Sequence, residues 1–271
     1  MRAVHLVLMT KSGQQGCPTA LTAPRWGFYD TCFGGEAFSL PVPFSSNIVE
    51  RSFFKLVAAE GHGISAVEAA LILSKQLEGR LHAIRKIRIR TQEAAMAIID
   101  KKGPLHNSAD RDHCMRYMVA VTLLKGDWLE TTDYDDECEW ANSLAVDELR
   151  DKITMEEDPQ ITQDYRDPNV RNGGVASGIT VILEDGSVLE EVLIVPPMGH
   201  PSREDTIPRV KAKFMKLSRA VLKDPAKVWD ESMTEDFANV QVRHWVDQFS
   251  LHISTSNPYL SDYRSLLRCC L

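Results

Sequence analysis

The residues best suited to chemistry lie between Asp100 and Trp128 (DKKGPLHNSADRDHCMRYMVAVTLLKGDW). If this stretch forms one helix, Asp110, His113 and Tyr117 are spaced i, i+3, i+7 and share a stripe, so that a carboxylate, an imidazole and a phenol face one cavity. Such a constellation suits an anionic small molecule. Asn107 or Ser108 can cap the orphan N–H groups, and Asp110 and Asp112 sit where the macrodipole favours negative charge. Cys114, Met118 and Val121 form a second stripe suited to core packing. The competing reading is a core helix with a polar start, whose histidine and tyrosine satisfy backbone groups. A second candidate pair is Lys55 and His62. They flank a short loop at the entrance of an alanine-rich helix, Ile64 to Leu77, where N–H groups can help hold an anion. A lysine beside a histidine can recognise carboxylates; the alternative is a solvated lysine and a helix-start histidine.

The elements that must position these groups read as α+β. Arg2 to Thr10 is the end of a helix that exits at Lys11-Ser12-Gly13. Residues 13 to 47 are an irregular, Gly- and Pro-rich segment pinned by Trp26, Phe28, Tyr29, Phe33, Phe38 and Phe44, with Gly34-Gly35 permitting unusual backbone shapes. Ala83 to Thr91 alternates as a half-buried strand with Ile84, Ile87 and Ile89 apolar, its phase slipping at Lys86 and its arginines solvated. A short helix follows from Gln92 to Ile99. The acidic run Glu130 to Glu139 reads as a solvated face, then a helix near Ala141 to Lys152 leads to a strand at Ile153 to Glu157. Ser177 to Val195 carries two β-branched runs about Glu184-Asp185-Gly186-Ser187, a hairpin signal. Together these predict a small antiparallel sheet with helices on one face. Pro196-Pro197 ends the hairpin, Ile207 to Leu222 is a long amphipathic helix, and from Asp224 the sequence reads as polar and irregular.

Composition bounds the function. A chain of 271 residues, 44% hydrophobic and 25% charged, has material for a sizeable core. The net charge of −7 argues against a nucleic-acid scaffold. No segment has the apolar length of a membrane span, and no signal-peptide pattern opens the sequence. The six cysteines have neither CxxC spacing nor scaffold density. Reduced thiols in a cytoplasmic or mitochondrial interior are expected, with no metal and no iron–sulfur cluster.

Several runs carry a further signal: Asp100-KKGPLHNSADRDHCMRYMVAV, ALTAPRWGFYD from Ala20 to Asp30, Gly61-HGISAVEAA, EDPQITQDYRDPNVR, the DGSVLEEVLIV hairpin and the following Gly199-His200. In this order, over about residues 2 to 223, the sequence resembles the 2-methylcitrate dehydratases, the PrpD-type branch of the MmgE/PrpD family. The resemblance implies a large helical domain interrupted by a smaller α+β lid. The lid would span residues 52–195, and residues 1–51 and 196–271 would belong to the helical domain, ending in a tail unlike the family. It implies a hydro-lyase that removes water from 2-methylcitrate or a longer alkyl citrate without cofactor, as in propionate breakdown or fungal secondary metabolism. By motif position Lys55 and Tyr117 correspond to catalytic residues, with His62, Asp110 and His113 beside the tricarboxylate substrate.

The family also has an N-terminal portion bearing further active-site histidines and a lysine, ahead of where this sequence starts. The expectation is therefore a shortened form or paralogue that pairs as a homodimer and works with a separate N-terminal family portion. The loop after Lys55 departs from the family's Phe-Pro-Ala turn, being one residue shorter and without proline. Two other readings stand beside this one: an inactive, partner-binding remnant, and an enzyme like cis-aconitate decarboxylase.

Overall fold

The computed structural model describes residues 2–36, 52–167, 175–219 and 221–250, so the expected pinning by Phe38 and Phe44 falls outside it. The chain divides into two compact units, residues 1–46 and 47–271. In the first, α1 (Arg2–Lys11) carries Val4, Leu6, Val7 and Leu8, which the unit leaves exposed. The expected irregular segment contains a short helix, α2 (Phe28–Phe33), ended by Gly34 in the left-handed region. Phe28, Tyr29 and Phe33 pack edge to face or tilted, whereas Trp26 is exposed and pins nothing there.

The second unit is built on a four-stranded sheet ordered β2-β1-β3-β4, with β1 Ile84–Thr91, β2 Ile153–Glu157, β3 Ser177–Leu183 and β4 Val192–Ile194. β1, β3 and β4 pair antiparallel as expected, and the phase slip at Lys86 is a register irregularity between Ile84 and Lys86. The sheet is mixed, however, because β2 runs parallel to β1. A parallel neighbour requires a crossover, and here the crossover contains the whole Asp100 to Trp128 stretch. The arginines of β1 differ in fate: Arg88 is half-exposed, while Arg90 pairs with Glu191 at 2.6 Å and with Asp158, tying β1 to the connection before β4 and to the cap of α8.

The helices over the sheet are α3 (Ile64–Gln76), α4 (Glu93–Ile99), α5 (Ser108–Asp112), α6 (Met115–Lys125), α7 (Leu144–Lys152) and α8 (Pro159–Arg166). α3 packs on α6, β3 and β4, and its fully buried Ala66, Ala69 and Ala70 allow close approach. α6 is buried along most of its length, with Cys114, Met118 and Val121 inaccessible as the core stripe predicts. α9 (Thr206–Ser218) is followed by α10 (Pro225–Ser232) and α11 (Val242–Ser250), where the sequence reading expected irregular chain. Asp224 caps the Lys227 N–H and Pro225 occupies the first helical position, a start signal that the polar composition masked. Among the described residues no helix is long and apolar enough to cross a membrane.

Candidate active site

Lys55 lies on an extended strap held by backbone and side-chain bonds. The Phe54 N–H donates to the Gly199 carbonyl at 2.8 Å, the Lys213 ammonium donates to the Lys55 carbonyl at 2.5 Å, and the Tyr134 hydroxyl donates to the Ala58 carbonyl at 2.5 Å. Gly199 sits at φ +90°, and the turn that carries it is fixed by Glu68 of α3. That carboxylate accepts from the Met198 N–H at 2.9 Å and pairs with Arg203 at 2.7 Å. The Lys55 side chain is exposed.

His62 is the middle residue of a tight turn, Gly61–Gly63, whose N-cap is Glu60. The Glu60 carboxylate accepts from the His62 N–H at 2.8 Å and meets Nδ1 at 3.0 Å, while Nε2 lies 3.2 Å from the Tyr165 hydroxyl on α8. A carboxylate at Nδ1 holds the proton there and leaves Nε2 to accept from the phenol. Burial pushes the Glu60 carboxyl up, but the bonds from the His62 side chain and backbone outweigh it and hold it below the usual carboxylate range. Sequence reading found His62 but neither partner. Glu60 was legible as a carboxylate two residues away; Tyr165, in a distant helix, was not.

The stripe proposed for Asp110, His113 and Tyr117 is not formed. The helix breaks between α5 and α6, where Cys114 adopts extended backbone (φ −126°, ψ 103°) as the cap of α6. The break is fixed by buried Arg111, whose Nε donates to the Tyr134 carbonyl at 2.8 Å and whose Nη2 pairs with Asp136. Asn107 caps α5 as predicted, accepting from the Asp110 N–H at 2.9 Å. Asp110 pairs with Lys101 at 2.9 Å, and that bond with the His106 N–H holds its carboxyl low. His113, half-exposed, meets only its neighbour Asp112, at 2.5 Å, among the described residues.

Tyr117 points into the core. Its hydroxyl donates to the Asp133 carbonyl at 2.7 Å, and its ring lies 6.1 Å from that of Tyr134. It also borders a cavity of about 230 Å³ with Pro104, Leu105, Trp140, Val146 and Arg150. Burial, reinforced by Cys138, pushes the phenol far above its ordinary value, so it stays protonated and does not supply a phenolate base. Asp133 overturns the expectation of a wholly solvated acidic run: it is buried, binds Lys125 at 2.6 Å and closes a capping box with Glu130. Tyr117→Phe leaves the Asp133 carbonyl only the weaker bond from the Cys138 thiol, at 3.2 Å, and should cost about 1 kcal/mol. A urea melt of unchanged midpoint would refute this.

No hydrogen bond or ion pair joins Lys55, His62, Asp110, His113 and Tyr117 to one another among the described residues. The fold instead gathers Glu60, His62 and Tyr165 in one place, and Lys55 with Lys213 in another. No group of three or more His, Cys, Asp or Glu is arranged for a metal among the described residues.

The family model of the MmgE/PrpD C-terminal domain matches residues 57–236. The chain is 52% identical over 217 residues to 2-methylcitrate dehydratase-like protein oryR of Aspergillus oryzae, covering 79% of this chain and 43% of that protein. It is 49% identical over 218 residues to the 2-methylcitrate dehydratase of Escherichia coli K12, covering 79% and 44%. Against the alkylcitrate dehydratase phiI of a fungal species it is 42% identical over 253 residues, covering 92% and 49%. The chain spans less than half the length of each of these relatives.

Proposed function

This chain belongs to the MmgE/PrpD family, and from that premise we propose that it serves a hydro-lyase removing water from 2-methylcitrate or a longer 2-alkyl citrate. The observation that carries the reading is the chain Glu60–His62–Tyr165. Elimination beside a carboxylate needs a base for the proton, an acid for the departing hydroxyl and cations for the carboxylates. His62, oriented by Glu60, is the proton carrier, and the Tyr165 phenol passes the proton between Nε2 and substrate. Lys55 holds a carboxylate. Tyr117, kept protonated and bonded to the Asp133 carbonyl, borders its cavity, and its part in catalysis rests on the resemblance. The roles of Asp110 and His113 as substrate contacts rest on the resemblance alone.

Residues 52–195 act in this reading as the lid, and residues 1–51 and 196–271 belong to the helical domain. The remaining proton-transfer groups come from the family's N-terminal portion, and the assembly pairs as a homodimer, which would cover the apolar residues of α1. A cytoplasmic or mitochondrial setting suits the free thiols among the described cysteines. The test follows the absorbance of the unsaturated product from 2-methylcitrate and longer alkyl citrates, using this chain alone and supplemented with an N-terminal family portion. Turnover should appear with the supplement. Its absence with every alkyl citrate, in an assembly shown to have formed, would refute the reading.

A further inference from the structure

Beside Lys55 the strap, the end of the α6 connection, the Met198 turn and α9 enclose an open recess of about 180 Å³, lined by Leu56, Trp128, Met198, Arg209, Ala212 and Lys213. Its wall is divided by chemistry. Leu56, Trp128, Met198 and Ala212 present hydrocarbon, whereas Arg209 and Lys213 present cations. Arg209 is already engaged by Asp205 at 2.6 Å. Lys213 is not: its ammonium donates to the Lys55 carbonyl, and among the described residues neither lysine has a carboxylate in ion-pair contact. Burial, and then the charge of Lys55, lower the Lys213 ammonium below its ordinary value. Two like charges held together at a half-buried site are costly unless an anion joins them.

We infer that this recess holds a carboxylate bearing an alkyl substituent, the carboxylate between Lys213 and Lys55 and the alkyl carbons against Leu56, Trp128 and Met198. The inference deepens the proposed function, on which it rests for the citrate part of the ligand, by assigning the residues that select the length of the 2-alkyl group. A methyl group leaves most of the apolar wall wet, and each further methylene that reaches it removes more hydrocarbon from water. The site therefore favours substituents longer than methyl until the recess is filled.

Equilibrium binding tests this without turnover, using calorimetry on the full chain with citrate, 2-methylcitrate and a series of longer 2-alkyl citrates. The dissociation constant should fall about threefold per added methylene. Trp128→Ala should flatten that slope while changing citrate affinity by no more than about twofold. Leu56→Ser, at a position that is not packed against the main core as Trp128 is, should flatten it in part and serves if Trp128→Ala folds poorly. Lys213→Met should weaken every member by about tenfold and Lys213→Arg should restore much of the loss, since a charge-assisted bond is removed and then replaced. Affinity should also fall as pH rises through the lowered Lys213 value. A flat series in the unaltered chain, a slope unmoved in both apolar variants, or no binding of any member would overturn the inference. A slope that persists in an assembly without turnover would support the recess and count against the dehydration reading; turnover with a flat series would count against the recess alone.

Discussion

Replacing Gly199 with alanine should destabilise the protein by at least about 3 kcal/mol and release the strap that carries Lys55. A Cβ built on Gly199 would lie 1.9 Å from the Phe54 carbonyl oxygen and 3.0 Å from its carbon, and these are backbone atoms that cannot rotate away. The backbone there also has φ +90°, which an L side chain adopts only with strain. The clash lies beside the Phe54 N–H to Gly199 carbonyl bond at 2.8 Å, so its relief requires the strap to separate from the turn. The Met198 turn cannot retreat easily, because Glu68 of α3 and Arg203 hold it from behind. For a chain of this size the loss corresponds to a fall in melting temperature of roughly 6–12 °C. Thermal unfolding followed by circular dichroism gives the stability, and calorimetry with 2-methylcitrate gives the binding. A variant that melts and binds like the parent would refute the account of the strap.

The second large effect concerns proton transfer. In an assembly competent for dehydration, His62→Ala should lower kcat by about 10²–10⁴, the usual contribution of a positioned acid or base. Glu60→Gln should act more mildly and differently: the imidazole remains but loses the carboxylate that fixes its tautomer. The folded Glu60 carboxyl lies below its ordinary value, so its contribution to stability is complete above the unfolded value of about 4.5 and is lost as pH falls through the lower folded value. The acid limb of stability should therefore flatten in Glu60→Gln, whereas His62→Ala removes only the imidazole's share, leaves the backbone N–H on the carboxylate and should flatten it in part. Steady-state kinetics with parallel acid unfolding curves distinguish the two variants. Unchanged kcat in His62→Ala would eliminate His62 as the proton carrier.

Much of the fold was legible because its signals are local. The alanine-rich α3, the apolar α6, the Asn107 cap and the Asp185-Gly186 turn each follow from a few adjacent residues, and the slip at Lys86 even announced the irregularity of β1. The break between α5 and α6 was not legible, because no glycine or proline marks it and its cause is Arg111 reaching a carbonyl in a distant turn. The parallel partner of β1 was hidden for a similar reason: Ile153 to Glu157 reads as a strand, but its neighbour is set by tertiary structure. Of the candidate residues, Lys55, His62 and Tyr117 could be picked out by type and spacing, and the resemblance suggested roles for Lys55 and Tyr117. Tyr165 and Lys213 could not be paired with them, since only the folded chain brings α8 to the His62 turn and α9 to the strap.

The pairings of β1 also bear on the speed of folding. Both partners of β1 come late in the chain: β2 at the end of the excursion from Gln92 to Lys152, which buries α6 against α3 and seats α7, and β3 farther on, beyond β2 and α8. Closing so long a loop is paid in chain entropy before any strand contact rewards it, and such non-local pairing slows folding. β2 also stands at an edge of the sheet, whereas β1 and β3 lie inside it, so its amides should exchange hydrogen sooner than those shared by β1 and β3.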